Sequence, residues 1–252
     1  KREDDFIEHI LTASMHNYIL FFTEKGRCYW LKVYDIPEGA KSSKGRAIQN
    51  ILNIEADNRI TASITIKSLN DKEFTSTHSL IFCTQNGTIK KTSLEDYSRP
   101  RQNGINAINL VEGDKVVAVR LTNGENDILV ANSNGRAVRF NESTVRNMGR
   151  NATGVRAITL DNDGFDHVVG MIAIENPEEE TVMIVSEYGY GKRSEIEDYR
   201  KTNRGGKGVK TINITEKTGK LISIQSVTDD NDLMIINKSG ITLRLDVSTI
   251  RV

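Results

Sequence analysis

The chain has 252 residues, 34 Lys plus Arg against 34 Asp plus Glu, and so a formal net charge of zero. With 37% hydrophobic and 27% charged residues it can bury a core without metal or disulfide staples, which excludes an intrinsically disordered segment. No apolar run is long enough to cross a bilayer, and a zero balance taken alone argues against nucleic acid as a partner.

In chain order, the first residues, Lys1 to Asp5, lack the apolar stretch of a signal peptide and read as the cut edge of a longer chain. A hairpin unit then recurs five times: an apolar strand, a turn centred on glycine, and a second strand carrying base. Its copies are Ile19–Arg27, Leu80–Thr88, Ile128–Arg136, Val182–Tyr190 and Leu233–Ile241, with turn glycines Gly26, Gly87, Gly135, Gly189 and Gly240. Successive turn glycines are 61, 48, 54 and 51 residues apart. A second glycine follows each of the first four by 17 to 19 residues and opens another strand, at Gly45, Gly104, Gly154 and Gly208. After it come a polar turn and one more apolar run, such as Val116–Val119. Short runs rich in Ile, Val, Leu and Thr between turn signals predict buried strands. Asn86-Gly87, Asn134-Gly135 and Ser239-Gly240 supply the positive φ of tight turns.

A unit of about fifty residues with four short strands predicts an all-β, propeller-like fold of about five to six four-stranded blades. The spacing places repeats near 6–57, 58–113, 114–163, 164–217 and 218–252 of a single domain, truncated at both ends. Cys28 and Cys83 are expected as buried free thiols, which suits a reducing cytoplasm.

The neutral total hides a segregation. The windows from each hairpin turn to just past the second glycine hold 25 bases and 11 acids, a net of +14, and the remainder carries −14. The residue four past the hairpin glycine is Trp30, Lys91, Arg139, Arg193 and Arg244, basic in four of five copies. Stacked repeats would align these positions into a basic track for a long polyanion, and duplex DNA carries one charge per ~1.7 Å of axis. With no recognition helix in view, phosphate contacts are expected, independent of sequence. The candidate DNA-binding residues are Lys25, Arg27, Lys44, Arg46, Lys90, Lys91, Arg99, Arg101, Arg136, Arg139, Arg146, Arg150, Lys192, Arg193, Arg204, Lys207 and Arg244. Replacing Lys90, Lys91, Lys192 and Arg193 by Glu is expected to weaken binding and leave the fold intact.

Other motifs carry less. Asp161–Asp166 has glycine at its fourth position, not the sixth of a calcium loop, and reads as a polar turn. His9, His16, His78 and His167 show no metal spacing, Glu178–Glu180 reads as a solvated loop, and Gly205–Gly208 is not a phosphate-binding loop. No catalytic or metal residue is predicted.

Several stretches resemble one family: Glu3–His9, Leu31–Pro37, Gly45–Ile48, Asn86–Thr92, Val145–Arg156 and Gly189–Arg193 are similar to the C-terminal domain of the A subunit of bacterial DNA gyrase, a type IIA topoisomerase. The resemblance implies a β-pinwheel whose basic rim wraps duplex DNA and gives the enzyme its chirality for ATP-dependent negative supercoiling. It implies as partners the gyrase A cleavage domain and gyrase B in an A2B2 complex, a bacterial cytoplasmic setting at the nucleoid, and an isolated domain that is monomeric and catalyses nothing. ATP and Mg2+ would belong to the parent complex, with no cofactor in this segment. The family's Gln-Arg-Arg-Gly-Gly-Lys-Gly box is expected just upstream of Lys1. Thr202–Gly208 matches its last five positions, but in the fourth repeat. The alternatives are the equivalent domain of topoisomerase IV, which lacks the box, and an interaction propeller that binds an acidic protein.

Overall fold

A computed structural model describes residues 17–36, 48–228, 232–236 and 242–252. The first repeat contributes β1 (Tyr18–Thr23), β2 (Arg27–Lys32) and β3 (Ile60–Ile66). The second contributes β4 (Ser79–Thr84), β5 (Thr88–Ser93), β6 (Ile105–Asn106) and β7 (Val116–Thr122). The third gives β8 (Asp127–Asn132), β9 (Arg136–Asn141), β10 (Val155–Arg156) and β11 (Val168–Ile174). The fourth gives β12 (Thr181–Ser186), β13 (Gly191–Glu195), β14 (Val209–Lys210) and β15 (Leu221–Val227), and the fifth β16 (Asp232–Ile236) and β17 (Thr242–Asp246). All five predicted hairpins pair antiparallel, as in Leu20 opposite Trp30 and Val130 opposite Val138. The predicted strand at Gly45–Ile48 falls mostly outside the described residues, and Ile48 itself begins a short helix, Ile48–Ile51.

The hairpin strands form because both faces of the first strand are covered. All six residues of β4, β8 and β12 are buried, which accounts for their continuous apolar runs. In the first four turns the glycine lies in the left-handed region, with φ +87° at Gly26 and +85° at Gly135. The polar residue that ends the first strand is buried because it caps the turn. Thr23 Oγ1, Asn132 Oδ1 and Ser186 Oγ accept from the backbone N–H of Arg27, Arg136 and Tyr190 at 3.1, 3.0 and 3.1 Å.

Sheet order departs from the repeats drawn on spacing. The sheets run β3-β1-β2-β6, β10-β5-β4-β7, β11-β8-β9-β14, β13-β12-β15 and β16-β17. Two corrections follow. The apolar run after the second glycine, assigned by spacing to the next repeat, pairs with its own hairpin: β3 lies against β1 and β7 against β4. The repeat boundary therefore falls after Ile66 and Thr122, not at 57 and 113. The strand opened by the second glycine belongs instead to the previous repeat's sheet: β6 pairs with β2 and β14 with β9. Each four-stranded sheet is three strands of one repeat and one short strand of the next.

The donated strand explains the coincidence of the two glycines. Past β6 and β14 the chain continues across the preceding hairpin, Ala107 N–H donating to Gly26 O at 2.8 Å and Thr211 N–H to Gly135 O at 2.7 Å. A Cβ on Gly26 would lie 2.9 Å from Ile108 O, and one on Gly135 2.6 Å from Ile212 O. The hairpin glycine thus serves its own turn and admits the neighbour's backbone.

The chain divides into two compact units, Lys1–Thr84 with Ile89–Gly124 and Val145–Val155, and Gln85–Thr88 with Glu125–Thr144 and Arg156–Val252. In the first, Leu20, Phe22, Trp30, Leu80, Phe82, Tyr97 and Val119 share one core, with the Phe22 and Phe82 rings edge to face at 5.3 Å. In the second, Leu129, Ile172, Val182, Ile184, Tyr199 and Leu221 do the same.

Alanine at Gly113, where φ is +84° and nothing lies within 4 Å of a new Cβ, should cost only the torsional ~1–2 kcal/mol. Gly135→Ala adds the clash with Ile212 and should cost about 3 kcal/mol or more. Urea denaturation of the two variants checks the difference, and equal losses would contradict a packing role for the donated strand.

Candidate nucleic-acid interface

The positions four past the hairpin glycine do not form a surface track. Trp30, Lys91, Arg139 and Arg193 are 5–9% exposed. Trp30 Nε1 donates to Tyr97 O at 2.9 Å. Arg139 Nη1 donates to Ile196 O at 3.2 Å and Tyr199 O at 3.1 Å, while Nε and Nη2 meet Asp127 Oδ2 at 3.0 and 2.8 Å. Arg193 Nη1 donates to Ile250 O at 3.3 Å, and its Nε to Thr181 Oγ1 at 2.7 Å. Burial alone would raise the Asp127 carboxyl, but hydrogen bonds from Asn141, Lys201 and Arg139 hold it below the usual carboxylate range.

Lys90 is buried outright, with no exposed surface. Its ammonium faces the carbonyls of Ala107, Arg150 (2.8 Å) and Gly149 (3.5 Å), with the Phe82 ring 5.0 Å away. Lys90, Lys91, Arg139 and Arg193 are thereby withdrawn from the predicted DNA surface. Glutamate at Lys90, Lys91 or Arg193 would bury a carboxylate, at Lys90 among carbonyl oxygens, so the expectation of an intact fold is corrected as well. Only Lys192 of that set is exposed, its Nζ 3.5 Å from Thr211 O. The Arg244 backbone lies opposite Met234. Lys44 and Arg46 lie outside the described residues, as does the Arg244 side chain.

Among the described residues, exposed base of the second, third and fourth repeats sits on the loop that runs from the end of the hairpin to the second glycine. In the first unit this loop carries Arg99 and Arg101, both exposed, and with Glu95, Asp96, Ser98, Arg150 and Asn151 they line a shallow cavity. Arg146 is exposed on the following loop. Arg27 and Arg150 are half-buried, each tied by one guanidinium nitrogen to a carbonyl of the 103–106 segment, Asn103 at 2.9 Å and Asn106 at 3.3 Å. Lys25 is exposed but paired with Asp57 at 2.5 Å, and that contact raises its pKa.

In the second unit the loop after β13 presents Arg200, Lys201 and Lys207, and β14 adds Lys210, all exposed. Arg204 is half-buried, donating to Thr144 O at 3.2 Å and Arg156 O at 3.1 Å, and Arg136 reaches Gly208 O at 3.2 Å. Lys201 Nζ also meets Asp127 Oδ2 at 3.1 Å. Arg156, Arg200, Lys201 and Lys210 are also exposed here and lie outside the predicted set. A signal for them exists in the sequence, since no Asp or Glu occurs from 143 to 160 or from 199 to 215. Glu142, the one acid counted near the third loop, is buried and accepts from Asn126 N–H at 2.8 Å.

The remaining motifs resolve into local structure. Asp163 accepts from the backbone of Phe165 and Asp166 and from Asn134, which holds its carboxyl at about 2, and Asp166 caps Asn134 and Asp161. Among the described residues no group of three His, Cys, Asp or Glu side chains could hold a metal ion, and no helix is long and apolar enough to cross a membrane. Cys28 and Cys83 are buried and free, burial pushing the Cys83 thiol up to about 12.

Residues 17–67, 78–123, 126–175, 180–228 and 231–252 match the family model described as DNA gyrase C-terminal domain, beta-propeller. The chain is 44% identical over 248 residues to the DNA gyrase A subunits of Staphylococcus epidermidis and Staphylococcus aureus, covering 98% of this chain and 27% of each relative. It thus spans about a quarter of the length of the curated relatives it matches. Among solved structures it is similar to the C-terminal domain of DNA topoisomerase IV, with a TM-score of 0.83 at 26% identity over 94% of this chain and 72% of that one. A DNA gyrase A C-terminal domain gives 0.73 at 23% identity over 92% and 73%, a likeness of fold alone. The fold class is the all-β pinwheel.

Burial pulls the Lys90 ammonium down to about 7 from its ordinary 10.5. Between those values the unfolded chain holds more protons than the folded one, so the stability penalty is complete below pH 7 and fades as pH rises to 10.5. The stability of the unsubstituted chain relative to Lys90→Met should therefore rise across that window, by up to ~5 kcal/mol. Urea titrations at pH 7 and pH 10 test this, and a constant difference would contradict it.

Proposed function

We propose that this chain, which belongs to the DNA gyrase C-terminal domain family, binds, bends and wraps duplex DNA through the basic loops of successive repeats, without regard to base sequence. The observation that carries this reading is the repetition of exposed base on the same connecting loop of successive repeats: Arg99 and Arg101, then Arg146, then Arg200, Lys201 and Lys207. Guanidinium and ammonium groups on loops with no groove-reading helix suit phosphate oxygens. The acidic remainder of the chain would repel the duplex elsewhere and confine it to the loops.

In the whole enzyme this wrapping would present a crossing of one hand to the cleavage core and so bias strand passage toward negative supercoils. The partners on this reading are duplex DNA, the rest of the gyrase A subunit and gyrase B, with ATP and Mg2+ used elsewhere in the complex and a cytoplasmic setting. A second reading, the equivalent domain of topoisomerase IV, draws support from the 0.83 superposition. The 44% identity to gyrase A subunits favours the first.

Duplex affinity should fall linearly in log–log form with salt, with a slope near −0.9 per phosphate neutralised. Arg99→Glu with Arg101→Glu, or Arg200→Glu with Lys207→Glu, should weaken binding to all duplexes alike and flatten that slope by roughly one to two units. Salt-independent binding, or loss on one sequence only, would overturn the reading. Resealing a nicked plasmid with the chain bound should shift its linking number in a single direction.

A further inference from the structure

Three of the buried side chains four past the hairpin glycine share a partner that charge does not explain. Trp30 donates to Tyr97 O, Arg139 to Tyr199 O and Arg193 to Ile250 O. In each case the acceptor lies ten residues past the hairpin glycine of the next repeat. Tyr97 and Tyr199 are the residues from which the basic loops depart, Arg99 and Arg101 after the first, Arg200 and Lys201 after the second. A neutral indole does at Trp30 what a guanidinium does at Arg139, so the shared property is an N–H at the end of a long side chain. The strand backbone adds a second tie, Thr202 N–H donating to Arg139 O at 2.8 Å and Met148 N–H to Lys91 O at 2.7 Å.

We infer that Trp30 and Arg139 are positioning residues for DNA binding: each hairpin holds the root of the next repeat's basic loop and fixes where its bases stand. The inference rests on the proposed wrapping function. No phosphate touches either side chain on this account; they act through Arg99 and Arg101 in the first unit and through Arg200 and Lys201 in the second. A duplex would then meet loops whose geometry is already set, with less ordering left to do on binding.

Trp30→Phe keeps most of the ring and removes only the N–H, and Arg139→Met keeps the length of the stem and removes the donors. Both are measured in the whole chain. Amide exchange over 97–104 should quicken in Trp30→Phe, and over 199–206 in Arg139→Met, while the other strands keep their protection. Affinity for a random-sequence duplex should fall about fivefold in each, the equivalent of one hydrogen bond of ~1 kcal/mol. In a background already carrying Arg99→Gln and Arg101→Gln, Trp30→Phe should have no further effect on binding, although exchange still quickens. A fivefold loss that persists in that background, or unchanged exchange in the loop, overturns the inference. A destabilised fold without a positioning role would speed exchange throughout and leave the affinity of the folded chain unmoved. If the unsubstituted chain fails to bind duplex at all, the wrapping function falls, and the exchange result still decides whether the latch exists.

Discussion

The structure depends on one crossing: the strand opened by the second glycine of a repeat lies across the hairpin glycine of the repeat before it. Ala107 on Gly26 and Thr211 on Gly135 make the same backbone bond, and Ile108 and Ile212 occupy the space a side chain would need. The crossing completes the sheet, buries the turn and sets the start of the next connection. Strands are short, two residues in β6, β10 and β14, so their hydrogen bonds are few. Register is secured mainly by the close fit at glycine, where a slip of one residue would turn the wrong face inward.

The basic residues divide between two roles that sequence position alone does not separate. On the hairpin strands Lys90, Arg139 and Arg193 are buried and satisfy carbonyls, because a small sheet packed on both faces leaves helix-like turn ends beside it whose oxygens need donors. On the loops Arg99, Arg101, Arg146, Arg200, Lys201 and Lys207 are exposed. An arginine serves either role well: its stem covers apolar surface and its planar head can serve two or three oxygens at once, as Arg139 does with Asp127, Ile196 and Tyr199.

The hairpins were legible because each carries its own local instructions: an apolar run, a polar cap residue and a glycine that must take positive φ. Pairing across repeats was not, since strand periodicity says which face is buried and nothing about which neighbour supplies the edge. Hence the boundaries drawn on spacing misplaced β3 and β7. The charge segregation was real, yet its sharpest feature, base four past the glycine, pointed inward. Trp30 was the clue: a series of four cations and one indole is a series of donors. The loops were readable by a different sign, the absence of Asp and Glu over runs such as 199–215, which weighs acids as heavily as bases. Lys90 had no such sign, because its cage of carbonyls is assembled from residues 17 to 60 positions away.

Borrowing a strand from the following repeat also orders events in time. On the ribosome, β1, β2 and β3 emerge before the strand that covers β2, and that edge stays open until Ile105 and Asn106 have been made. Completion therefore trails synthesis by a full repeat all along the nascent chain, and every intermediate length exposes one sticky strand. The glycine crossing limits the hazard, because the arriving backbone must lie directly over the bare hairpin glycine with an isoleucine beside it, as Ala107-Ile108 and Thr211-Ile212 do, a fit that favours the chain's own next segment over a stranger's.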